Sequence, residues 1–147
     1  MQPLDINTPE ESLGYVMGRT FMRLRHGLRR AFQAHGHDFT PEQWSVLSAL
    51  SRQDGLPQCE LGERTVRDKT TITRILDRLE GKGLLERRPH GQDRRSHLVF
   101  LTPKGREFYR RLLPVVEEYR DVVFNCLSEE ELAGLRVILE KITAHLS

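Results

Sequence analysis

The chain has 147 residues, 23 Lys and Arg against 21 Asp and Glu, and only two cysteines. That length suits one domain, or a small domain with a dimerisation extension. No apolar run approaches the roughly eighteen residues of a membrane span, no basic-then-apolar leader opens the chain, and two cysteines are too few for a disulfide framework. A soluble cytoplasmic protein without membrane contact is expected, with Cys59 and Cys126 as small core residues.

Charge is segregated. Residues 64–110 hold 13 Lys and Arg against 6 Asp and Glu, whereas residues 1–63 and 111–147 are net negative. A basic middle third flanked by acidic ends suits a segment that meets phosphate while the ends do something else.

In chain order, Thr8–Pro9 with Glu11 signals the start of a helix running to about Ala34. Threonine caps, proline suits the first helical position, and the glutamate closes a capping box. Thr40–Pro41 with Gln43 opens a second helix ending near Gln53, and Pro57 to Arg64 forms a short third. Asp68 caps a fourth, Lys69 to Gly81, which Gly81 and Gly83 terminate. Two β-rich runs follow, Leu84 to Arg88 and Leu98 to Leu101. Between them lies a polar loop with Pro89, Gly91, Asp93, Arg94 and Arg95, so the pattern is a hairpin with a large cationic tip. Thr102–Pro103 opens a long helix containing Pro114, where a bend is expected, and Ser128 with Glu131 opens a last helix reaching His145.

The fourth helix has two unlike faces. Ile72, Ile75, Leu76 and Leu79 follow the spacing of a buried stripe. Thr70, Thr73, Arg74 and Asp77 lie roughly opposite, with Thr71 and Arg78 to one flank. Threonine lowers helix propensity, so stability alone does not select three of them. Their hydroxyls and methyls can meet phosphates and base edges, and arginine can grip guanine bidentately. Taken alone, this is also what an ordinary solvated face looks like. A helix of this kind followed by a basic hairpin is the winged helix-turn-helix arrangement for holding duplex DNA, in a fold that is mainly α with a small β-hairpin wing. The first, fifth and sixth helices carry long apolar stripes (Leu13 to Leu28, Phe108 to Val123, Leu132 to Ile142) that a second copy of the chain would cover.

These residues are also recognisable. The runs TPEQWSVLSAL and QCELGERTVRDKTTITRILDRLEGKGLLERRPHGQDRRSHLVFLTPKG resemble the MarR family of bacterial transcription regulators, over about Tyr15 to Tyr119. The resemblance implies a homodimeric repressor of a pseudo-palindromic operator, released by a small phenolic or aromatic effector. It implies a helical dimerisation region in residues 1–36 and 103–147 and a winged helix-turn-helix domain in residues 37–102. Carried over by position, Lys69, Thr70, Thr71, Thr73 and Arg74 form the major-groove set. Asp93 orients Arg95 into the minor groove, and Arg94, Arg87, Arg88 and His90 are further phosphate or wing contacts. Tyr15, Arg19, Met22, His26 and Trp44 are candidate linings of an effector pocket between the helical region and the DNA-binding lobe.

Other readings stay open. His35, His37 and Asp38 suggest a metal-responsive regulator but lack an evident fourth ligand. A redox-responsive one would need a reactive thiol, and the cysteine that the family's peroxide sensors carry near the start of the first helix has no counterpart here. A winged helix can also serve as a protein-interaction module without an operator. No cofactor is expected. The absence of G-x-S-x-G, Walker A and H-E-x-x-H patterns gives no support to an enzyme.

Overall fold

A computed structural model describes residues 12–65, 67–91 and 93–147, except the side chains of Asp93, Arg94 and Arg95. Among these residues the chain forms α1 (Leu13–Ala34), α2 (Pro41–Arg52), β1 (Leu56–Pro57), α3 (Gln58–Arg64), α4 (Lys69–Gly81), β2 (Leu85–His90), β3 (Asp93–Leu101), α5 (Pro103–Phe124) and α6 (Glu129–Leu146).

The caps explain the boundaries. Thr40 accepts from the Gln43 amide while the Gln43 side chain accepts from the Thr40 amide, both at 3.1 Å, which starts α2. Ser128 and Glu131 repeat that box at α6, and Thr102 caps α5 through the Gly105 amide. The expected Thr8–Pro9 start with Glu11 lies outside the described residues; α1 as described is capped by Ser12, which accepts from the Tyr15 amide. α5 runs without interruption through Pro114.

The hairpin differs from expectation. β2 and β3 extend into the stretch expected to be loop, so Pro89, Arg94 and Arg95 belong to strands, and the reversal is confined to the neighbourhood of Gly91, at φ +60°. Pro89 is tolerated because β2 lies at the edge of the sheet, where one side of the strand needs no partner. Register slips between Pro89 and His90, a local irregularity at the tip. A two-residue strand not anticipated from sequence, β1, pairs Leu56 with Val99, giving an antiparallel sheet ordered β1-β3-β2.

One core joins these parts. Ile72, Leu76 and Leu79 of α4 are buried with Leu47 and Leu50 of α2, Leu85 and Val99 of the sheet, Phe32 of α1, and Leu112 and Val116 of α5. Phe32 meets Phe39 edge-on with ring centroids 5.9 Å apart, and Trp44 stacks on Tyr109 at 4.8 Å. α5 approaches the sheet closely where Gly105 faces the Leu84 carbonyl; a Cβ there would lie 1.9 Å from that oxygen. The outer ends of the helical region are different. α6 buries none of its residues, and Leu13, Phe21, Val122 and Ile138 are more than half exposed.

Both cysteines correct the sequence reading. Cys59 and Cys126 are exposed free thiols rather than core residues. No described helix is long and apolar enough to cross a membrane.

Candidate nucleic-acid interface

α4 is positioned from beneath by its apolar stripe and at its start by Asp68. The Asp68 carboxylate accepts the Thr71 amide at 2.7 Å. That backbone hydrogen bond, with help from the Thr71 side chain, holds the Asp68 carboxyl below the ordinary range. With Ile72, Ile75, Leu76 and Leu79 facing the core, Lys69, Thr70, Arg74 and Arg78 are exposed together. Lys69, Thr70 and Arg74 make no side-chain hydrogen bond or close ion pair among the described residues, although the Arg74 charge also helps to lower Asp68. Thr71 and Thr73 are only half exposed. The Thr73 hydroxyl donates to the Lys69 carbonyl at 2.8 Å and accepts from Gln58 Nε2 at 3.0 Å, so it ties α3 to α4 as well as facing outward.

On the hairpin, Asp93, Arg94 and Arg95 are the first three residues of β3. The other arginines expected to meet phosphate are engaged within the protein. Arg87 binds Asp77 and Glu80 of α4, while Arg88 pairs with Glu86 and lies over the Phe100 ring, 4.2 Å from its centroid. His90 Nδ1 lies 3.3 Å from the Ser96 hydroxyl.

The residues expected to line an effector pocket are not brought together. Tyr15 and Met22 are exposed, Arg19 lies over the Tyr15 ring, and His26 belongs to an open strip with Arg23, Arg29 and Arg30. Trp44 alone of the five borders a cleft between α1, α2 and α5, of about 290 Å3. Its other walls include Phe21, Leu24, Leu28, Val116 and Phe124, and its polar groups include Arg25, Glu42, Arg67, Tyr119 and Arg120.

An ionic cluster crosses this cleft. Arg25 grips Glu42 through two nitrogens, and Arg67 approaches the same carboxylate at 3.9 Å. Burial works against ionisation of Glu42, yet the Arg25 hydrogen bond and the charges of Arg25 and Arg67 outweigh it, so its carboxyl stays below the ordinary value. The Arg67 Nε is buried without a hydrogen-bond partner among the described residues. Sequence reasoning missed this cluster, although Arg25 occupies a helical position in step with Phe21, Leu24 and Leu28, where a charge is unusual.

His35, His37 and Asp38 do not assemble a ligand set. His35 Nδ1 lies 2.9 Å from the Ala31 carbonyl, His37 packs edge-on against Phe108, and no group of three or more potential metal ligands occurs among the described residues.

Comparison with known proteins places this geometry. A family model described as the MarR family matches residues 39–97. The transcriptional regulator HosA of Escherichia coli O157:H7 is 31% identical over 113 residues, spanning 72% of this chain and 84% of that protein. Among solved structures, the transcriptional repressor CouR bound to a 23-mer DNA duplex is 30% identical with a TM-score of 0.82, covering 97% of this chain and 99% of that one. The PcaV transcriptional regulator of Streptomyces coelicolor, in complex with its natural ligand, is 26% identical with a TM-score of 0.81, over the full length of both chains.

Proposed function

The chain belongs to the MarR family of transcriptional regulators, and from that premise we propose that it is a cytoplasmic repressor binding a pseudo-palindromic operator as a homodimer. The observation carrying this reading is the exposed set Lys69, Thr70 and Arg74 on the outer face of α4, directly before a β-hairpin. Members of this family are regulators rather than enzymes, and CouR is known bound to duplex DNA. In this reading α4 enters the major groove and Arg74 reads a base edge. Arg95, oriented by Asp93, enters the adjacent minor groove with Arg94 close by, as the family resemblance implies.

The second copy is argued from α1, the end of α5 and α6. Their exposed apolar residues, among them Leu13, Phe21, Val122, Ile138 and Leu146, are of the kind that a partner surface covers. In this division residues 1–36 and 103–147 build the dimer, although the inner ends of α1 and α5 also pack into the lobe of residues 37–102. Two recognition helices would then meet half-sites about 10 base pairs apart, or a multiple of that. Sedimentation showing a folded monomer at micromolar concentration would count against the dimer.

The cleft between α1, α2 and α5 suits a small aromatic effector: apolar walls stand beside the Arg25, Glu42 and Arg67 cluster. The PcaV complex shows that a relative of this fold binds a ligand.

The test is selection of a duplex site from a random library, followed by binding of parent and Arg74→Ala to that site and to unrelated DNA. Loss of the arginine should cost about 1–3 kcal/mol on the selected site and relax preference at one base position per half-site. Equal weakening on both DNAs would make Arg74 a phosphate contact only. A protein-interaction module would show no salt-dependent binding to either DNA.

A further inference from the structure

Arg87 is the arginine whose position least suits the role its sequence context suggests. It lies on β2, two residues beyond Leu85 and so on the same face of the strand. Leu85 is buried in the core. Arg87 continues that face to the rim of the core and meets the flank of α4. Its side chain is 19% exposed, and its guanidinium contacts Asp77 Oδ1 at 2.5 Å and Glu80 Oε1 at 3.2 Å. Its backbone amide also donates to Glu80 Oε2, at 3.1 Å. The two carboxylates are three residues apart, hence neighbours on one side of the helix. Hydrogen bonding from Arg87 holds the Glu80 carboxyl below its ordinary value, and hydrogen bonding to Glu80 raises Arg87.

One side chain on the wing thus joins two on α4, just after the sharp reversal at Gly83, which has φ +75°. Beyond Arg87 the described hairpin side chains pair with their own sheet rather than with α4: Arg88 with Glu86 and Phe100, His90 with Ser96. Among the described side chains, the last tie between wing and helix is therefore this three-residue clasp.

Resting on the DNA-binding reading above, we infer that Arg87 is a positioning residue that sets the angle of the wing to α4 and itself touches no phosphate. A free arginine at the wing base would add one phosphate contact. Here two carboxylates already occupy the guanidinium, and the cluster's formal charge is negative, which leaves little to offer an anion. What the clasp supplies is geometry: helix and wing must reach neighbouring grooves together for their contacts to be made at once.

The experiment uses the full chain and has one readout with DNA and one without. Parent binding to random duplex DNA at low salt tests the DNA-binding reading itself, independently of the clasp. Arg87→Gln should then lose roughly tenfold or more in affinity for the selected site, with an unchanged slope of log affinity against log salt, because no phosphate contact is removed. Asp77→Asn/Glu80→Gln should also bind more weakly, although it removes two negative charges beside the DNA. Without DNA, hydrogen exchange at the β2 and β3 amides near the tip should speed up in both variants while Leu76 and Leu79 stay protected. Glu80→Gln alone serves as a milder variant should either protein fold poorly. A salt slope reduced by about one per protomer in Arg87→Gln, tighter binding by the Asp77/Glu80 variant, or unchanged exchange at the hairpin would each overturn the inference.

Discussion

Gly105→Ala tests how tightly α5 docks on the sheet. A Cβ at this position would lie 1.9 Å from the Leu84 carbonyl oxygen and 2.9 Å from its carbonyl carbon. Non-bonded heavy atoms settle at about 3.5 Å, so the first turn of α5 must retreat by roughly 1.5 Å. The obstructing atoms are backbone and cannot swing aside. Retreat weakens two hydrogen bonds made from the same turn: the Thr102 amide to the Leu84 carbonyl, 3.1 Å, and the Thr102 hydroxyl to the Gly83 carbonyl, 2.6 Å. Overpacking costs about 1–3 kcal/mol, and each hydrogen bond contributes about 0.5–1.5 kcal/mol. The better helix propensity of alanine returns up to ~1 kcal/mol. The net expectation is destabilisation by about 2–4 kcal/mol, with the packing effect dominant. Urea unfolding followed by circular dichroism measures it, at one fixed protein concentration because association is linked to folding. Gly81→Ala is the control: nothing lies within 4 Å of a Cβ there, so it should be neutral or stabilising by up to ~1 kcal/mol. If Gly105→Ala unfolds at the parent's midpoint or above it, the close approach of α5 to Leu84 is not a feature of the folded protein.

Glu42 should contribute acid sensitivity. Its folded pKa lies below the ordinary 4.5, so its contribution is fully present above that value and lost as pH falls through the folded value; a parent and a Glu42→Gln variant with the same decline in urea midpoint from about pH 6 to about pH 3 would contradict this. The Tyr119 hydroxyl donates to the Leu24 carbonyl at 2.8 Å, and Tyr119→Phe should cost about 0.5–1.5 kcal/mol in the same unfolding assay. Burial raises the Tyr119 phenol, with Arg30 opposing, so the absorbance difference between parent and Tyr119→Phe in a spectrophotometric titration should appear above the ordinary phenol range. On the wing, Arg95→Ala should weaken operator binding most where the flanks are A·T-rich and the minor groove narrow. Asp93→Ala should weaken it too, in spite of the added positive charge; tighter binding by that variant in fluorescence anisotropy would leave the wing as a cationic brush alone.

The helices were legible because each carries its own punctuation. Thr40 with Gln43, Thr102 with Pro103 and Ser128 with Glu131 are local signals whose partners lie within one turn, and the Ile72 to Leu79 stripe needs only helical periodicity. The strands were less legible because their limits depend on partners distant in sequence. β1 is a strand only because Leu98 and Val99 come alongside Leu56 and Pro57. Pro89 reads as a strand breaker until β2 is known to be an edge. The cleft was missed for a different reason. Tyr15, Arg19, Met22 and His26 share one face of α1, while the cleft uses the roughly opposite one, with Phe21, Leu24, Arg25 and Leu28. A helix that is apolar on more than one side gives no local sign of which side its own lobe covers. The occupation of Arg87 was equally invisible, since an arginine on a basic hairpin reads as a DNA contact until its two carboxylates are seen.

The shared core also has a mechanical consequence. Phe32 at the end of α1 and Leu112 and Val116 of α5 are wedged into the same interior as Leu76 and Leu79 of α4. Close-packed interiors deform little and hand displacement on. In the reading proposed above, a displacement at the inner ends of α1 and α5 would therefore be passed on to α4. α4, at 13 residues, is about 20 Å long, so a tilt of about 10° sweeps its far end by roughly 3.5 Å. That is close to the rise of one base step, about 3.4 Å. In the DNA-binding reading proposed above, a tilt of that size about the Gly81 end would shift the first turn of α4, with Lys69 and Thr70, by about one base step.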